Sequence, residues 1–166
     1  IDQLFDHIVK TFNGNQINFD AWGHSAGAQF LQRYVMYQPD SKSNIIVCSN
    51  AGWYTVPEKK IPFPYGLSKS QLSDSTLKKA FLKKLYIHLG EEDTDSDSPS
   101  LRHNEIVDQQ QGTNRRARGR YFYNTSEESA ELLNSSFNWI KTEEVKNVGH
   151  DYELMAKDAL QYFQKN

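Results

Sequence analysis

The stretch "INFDAWGHSAGAQFLQRYV", residues 17–35, decides the fold. Ile17 to Trp22 alternates apolar and polar residues, as a strand does. From Ala26 to Tyr37, Phe30, Leu31, Tyr34 and Val35 share one helical stripe, closed by Pro39. Between strand and helix sits Gly23-His24-Ser25-Ala26-Gly27. A Gly-x-Ser-x-Gly turn in that position can hold the serine hydroxyl out at the carboxyl end of a sheet, on a strained backbone. The first glycine must be small because the turn is tight. The second is expected where the helix packs close to the strand. The motif alone is weak, because glycine and serine are common, and an incidental serine in a packing turn is the competing reading. The flanking strand and helix favour a nucleophile.

Working outward, residues 2–13 carry apolar positions at helical spacing, stopped by Asn13-Gly14-Asn15. Ile45 to Cys48 is a continuous apolar run, the pattern of a strand buried on both faces of a parallel sheet. Residues 50–67 read as an ordered, aromatic-rich loop. A helix is expected from Ser73 to Lys84 and a strand from Leu85 to Leu89. A long helical region follows from about His103 to Leu133, interrupted near Gly112 and Gly119. The last strand is expected over Trp139 to Val145 and the last helix over Tyr152 to Phe163. Alternating helices and buried-type strands predict an α/β fold with a mostly parallel sheet of about four strands flanked by helices.

The chain has 166 residues, which suits one domain over 1–166. Net charge is −2 and mean hydropathy is −0.74, so no bulk attraction to nucleic acid or anionic membrane is expected. No apolar run reaches the ~20 residues of a membrane span. Arg115, Arg116, Arg118 and Arg120 form a basic run, but no aromatic stacking motif accompanies it. It reads as a solvated helix face rather than a nucleic-acid site. Cys48 is the single cysteine, so no internal disulfide forms. The chain opens at Ile1 with an amphipathic pattern already running and reads as starting in mid-fold. Any signal peptide would lie upstream, and the compartment, cytoplasmic or exported, is left open.

A serine nucleophile needs a base and an orienting acid. "LYIHLGEEDTD" places Asp93 and Asp95 just past a strand end, and both remain candidates for the acid. Asp93, Asp95 and Asp97 also match the opening of a calcium loop. Ser98 and Asn104 then stand where that loop needs glycine and a bidentate glutamate. The base is His150 in "VKNVGHDYE", in a glycine-bearing turn after the last strand. Ser25, acid and His150 follow the Ser…Asp…His order of strand-end triads. The backbone N–H of Ala26, opening a helix, would be one oxyanion donor. His7 lies on a surface helix, His24 is more a wall of the site than a catalyst, His88 belongs to the sheet, and His103 could line a pocket. No His/Cys cluster has zinc spacing, and no motif calls for a metal or cofactor.

"GHSAGAQF", "LGEEDTD" and "VGHD" together resemble the α/β-hydrolase superfamily, and "NAGWYTVP" and "FPYGL" look like its bacterial esterase and polyhydroxybutyrate depolymerase-like members. The resemblance implies a partial α/β-hydrolase fold with the N-terminal strands missing. It implies Ser25 as nucleophile, Asp93 as acid, His150 as base, Ala26 as oxyanion donor and no cofactor. The reaction would be hydrolysis of a small or oligomeric carboxylic ester, with an acyltransferase, a peptidase or a non-catalytic binding protein as alternatives. His24, Trp53 and Tyr54 would line the substrate pocket. The fold normally has about eight strands, with the serine after the fifth. Here the serine strand comes first, and the loop that brings the second oxyanion donor has no counterpart. The chain alone is therefore expected to be impaired or inactive, and to self-associate through an exposed sheet edge.

Overall fold

The computed structural model describes residues 1–164. In chain order the elements are α1 (Asp2–Thr11), β1 (Phe19–His24), α2 (Ala26–Tyr37), β2 (Ser43–Ser49), α3 (Asp74–Phe81), β3 (Lys84–His88), α4 (Glu105–Gln111), α5 (Arg115–Leu132), β4 (Ile140–Lys141) and α6 (Tyr152–Phe163). The strands form one sheet in the order β1-β2-β3-β4, and each neighbouring pair is parallel. All four carboxyl ends therefore open at the same end of the sheet.

β2 shows why the apolar run predicts a doubly covered strand. Ile46 and Cys48 face α2, α3 and α5, beside their register partners Leu85 and Ile87. Ile45 and Val47 face the other way, with Tyr86 and Ala159 of α6. All four β2 residues are at most 2% exposed. Burying an aliphatic side chain fully is worth about 1.5–3 kcal/mol, so this strand anchors both layers.

Three expectations change. The helix from about His103 to Leu133 breaks at Gly112 but runs straight through Gly119. Gly119 serves packing there: a Cβ would lie 2.4 Å from a Leu89 methyl. β4 is only two residues long, although the Thr142 and Val145 N–H groups beyond it still donate to the Ile87 and Leu89 carbonyls; Trp139, just before it, is buried and donates its indole N–H to the Ala80 carbonyl at 2.9 Å. The arginine run is not a solvated face. Arg115 and Arg118 are fully buried, and Arg116 and Arg120 both pair with Glu144. Among the described residues, no helix is long and apolar enough to cross a membrane.

Candidate active site

Ser25 stands between β1 and α2 with φ 52° and ψ −113°, a left-handed φ that costs a non-glycine residue energy. Its N–H donates to the Ser49 carbonyl at the end of β2, at 3.0 Å, and its carbonyl accepts the Gln29 N–H of α2. The elbow is thus fixed to both neighbours. A Cβ on Gly23 would lie 2.6 Å from the Gly27 carbonyl carbon, so the turn tolerates only glycine at its first position. Gly27 departs from expectation. A Cβ there would meet nothing within 4 Å, so the close approach lies at Gly23 and not at the second glycine. Ala26 is the first residue of α2, where a backbone N–H has no acceptor within the helix. The Ser25 hydroxyl makes no hydrogen bond among the described residues.

Asp93 follows β3 and is 2% exposed. Its Oδ2 accepts from Nδ1 of His150 at 2.8 Å. Nη1 of buried Arg115 lies 3.6 Å from its Oδ1. Asp95 is exposed and accepts the Asp97 N–H instead, so the two candidate acids have different surroundings and Asp93 is the one that meets His150. His150 sits in the turn before α6. The His24 ring, one residue from Ser25, lies 4.4 Å from the His150 ring. Burial, then the nearby His150 and Arg115, hold the His24 pKa down to about 4 against the opposing pull of Asp93. A neutral imidazole therefore flanks His150.

Residues outside the sequence reading hold the loops together. Asn50 directly follows β2 with φ 48°. Its side chain accepts the Gly90 N–H at 2.8 Å and donates to the Gly149 carbonyl at 3.1 Å. One amide thus ties the segment before Asp93 to the residue before His150. Gly90 permits this contact: a Cβ there would lie 2.4 Å from the Val148 carbonyl oxygen. Positive φ favours Asn at a strand end, and that residue type is the one cue the sequence carries for position 50.

The expected pocket residues separate. Trp53 is 8% exposed and packs edge-on against Tyr65. Tyr54 is fully buried, stacks on Phe122 and has both backbone polar groups bonded by the Gln111 side chain. Tyr54 is core rather than pocket wall. A cavity of about 610 Å³ lined by Tyr86, Thr142, Glu144, Asp158 and Tyr162 lies beside β4 and includes none of Ser25, Asp93 and His150.

The solved structures similar to this fold include poly(aspartic acid) hydrolase-1 from Sphingomonas sp. KT-1, which superposes with a TM-score of 0.93 at 34% identity, over 97% of this chain and 60% of that one. LpqC, a poly(3-hydroxybutyrate) depolymerase from Bordetella parapertussis, gives 0.87 at 26% identity, over 99% and 55%. The chain has an α/β-hydrolase-like fold. It spans a little over half the length of each neighbour. One neighbour is named a hydrolase and the other a depolymerase. No family model matches the chain, and no curated protein matches it.

Proposed function

We propose that Ser25, His150 and Asp93 are the nucleophile, base and orienting acid of a serine hydrolase acting on carboxylic esters. The observation that carries this reading is the 2.8 Å Asp93–His150 hydrogen bond, at the sheet end where Ser25 occupies a strained elbow. Asp93 accepts from Nδ1, which leaves Nε2 as the nitrogen free to take the Ser25 proton as the hydroxyl attacks the carbonyl. The acyl-enzyme is then hydrolysed by water that His150 deprotonates. The Ala26 N–H supplies one hydrogen bond to the oxyanion.

Loss of one oxyanion donor typically costs ~100- to 1,000-fold in rate, so with Ala26 as its one assigned donor the 166-residue chain by itself is expected to turn over esters slowly or not at all. Reactivity of the serine is a separate quantity and tests the triad directly. A fluorophosphonate should form a one-to-one adduct on Ser25, lost in Ser25→Ala and greatly slowed in His150→Gln. A chain that stays unlabelled, or labels equally well as Ser25→Ala, refutes the proposal. The same triad serves peptidases and acyltransferases, so ester, amide and acyl-acceptor substrates belong in one screen. Polymers bearing carboxylates are included because one neighbour is named for poly(aspartic acid).

A further inference from the structure

The chain has six arginines, and their partners divide them. Arg115, Arg116, Arg118 and Arg120 each lie against a carboxylate. Arg33 and Arg102 form no ion pair among the described residues. Both converge on Trp53 instead, with guanidinium carbons 4.6 and 5.5 Å from its ring centroid. Aromatic contact orients a guanidinium without neutralising its charge. Burial lowers the Arg33 pKa, Tyr37 opposes this, and the charge of Arg102 lowers it further. Two like charges are therefore held near each other, neither of them ion-paired among the described residues.

The surroundings are rigid. Buried Arg118 donates through Nη1 to the Gly52 carbonyl at 2.6 Å and to the Arg102 carbonyl at 3.0 Å. Its Nη2 meets Asp108 at 2.6 Å and its Nε meets the Gly112 carbonyl at 2.7 Å. One guanidinium thus fixes the backbone just before Trp53 and the backbone of Arg102 itself. Arg33 comes from α2, about two turns beyond Ser25. Arg33 also borders an apolar groove of about 280 Å³ formed with Phe30, Tyr34, Tyr37 and Phe63. Arg102 is exposed and Arg33 half-buried, whereas the Trp53 that both contact is covered.

We propose that Arg33 and Arg102, mounted on Trp53, form a subsite for the carboxylates of an extended polyanionic substrate. This placement as a substrate subsite rests on the hydrolase reading of Ser25. The site takes repeated anions rather than one, because it offers two cations from different segments. Preorganisation by Trp53 and Arg118 limits the entropy lost when an anion binds.

The test is binding of poly-aspartate to the Ser25→Ala chain, followed by titration calorimetry. The Arg33→Gln/Arg102→Gln pair should weaken binding at least tenfold, and raised salt should weaken the parent more than that variant. Lys10→Gln/Lys84→Gln, with Lys84 at the opposite end of the sheet, should change it less than twofold. Equal affinity in the arginine variant, equal loss in the lysine variant, or no binding by the parent overturns the proposal. Should the double variant not fold, Arg102→Gln alone, an exposed side chain, should still weaken binding severalfold, and unchanged binding refutes the subsite. Serine labelling and poly-aspartate binding are independent readouts, so a chain that binds but does not label overturns the hydrolase reading and leaves the anion site standing.

Discussion

His24 is a histidine whose surroundings favour the neutral ring. Its Nε2 is buried without a hydrogen-bond partner, and its ring lies against His150. A proton on that nitrogen would place a charge where nothing accepts it. The depressed pKa of about 4 has a defined consequence for stability. Between the ordinary value of 6.5 and about 4, the unfolded chain binds a proton that the folded chain does not. Stability from this residue is fully present above pH 6.5, falls as pH drops through that window, and levels off below about 4. His88 acts in the same direction, because burial lowers its pKa against the pull of Asp158. The direct check is an NMR titration of the His24 imidazole. Its midpoint should lie near 4, and a midpoint of 6 or above would show that the ring charges freely beside His150. His24→Gln should flatten the fall of the urea midpoint between those pH values.

At the scale of the elements, α6 is tied to the sheet by a relay separate from the candidate triad. The Trp22 indole N–H donates to Ser49 Oγ at 2.8 Å. Ser49 Oγ lies 2.8 Å from His88 Nδ1, and His88 Nε2 lies 2.9 Å from Asp158 Oδ2. A carboxylate only accepts, so Nε2 carries the proton, and the buried neutral ring then accepts from the Ser49 hydroxyl at Nδ1. β1, β2, β3 and α6 are joined in this single line, and α6 begins two residues after His150. Asp158→Ala strands the Nε2–H and should cost about 1–3 kcal/mol of stability. Asp158→Asn keeps an oxygen acceptor and should cost less. Equal loss in the two variants, measured by urea denaturation, would show that the hydrogen bond does not hold the helix. This relay was not legible in the sequence, where His88 reads only as a sheet residue. The strained turn at Ser25 and the meeting of His150 with a carboxylate after β3 were legible because each residue follows a strand, whereas the choice of Asp93 over Asp95 as that carboxylate was left open by the residues alone. Asn50, Arg115 and Gly90 were not legible, because their work is defined by distant partners. Asn50 contacts Gly149 across 99 positions. The buried run of β2 was readable from four consecutive residues, whereas the passage of α5 through Gly119 depends on Leu89 of a different segment.

For the whole molecule, the order β1-β2-β3-β4 leaves the serine strand at one side of the sheet. β1 pairs only with β2 among the described residues. The other edge of β1 has no strand partner among the described residues, and such an edge is a template for pairing. Apolar side chains cluster in the adjoining segments: Leu4 is 63% exposed, Phe12 79% and Ile17 81%. Helix α1 has no buried residue, although Phe5 meets Phe19 and Asp2 bonds Tyr34. An open strand edge beside exposed apolar residues favours pairing with another chain. We therefore expect the 166-residue chain to self-associate as its concentration rises. Sedimentation velocity across a wide concentration range is the check. The parent should shift toward dimers or larger species, and Phe12→Lys/Ile17→Lys should shift back toward monomer, because charge next to the edge opposes pairing. Circular dichroism of the variant should match the parent, since both positions are highly exposed and carry no core contact. A parent that stays monomeric at every concentration would show that the β1 edge is protected despite its exposure.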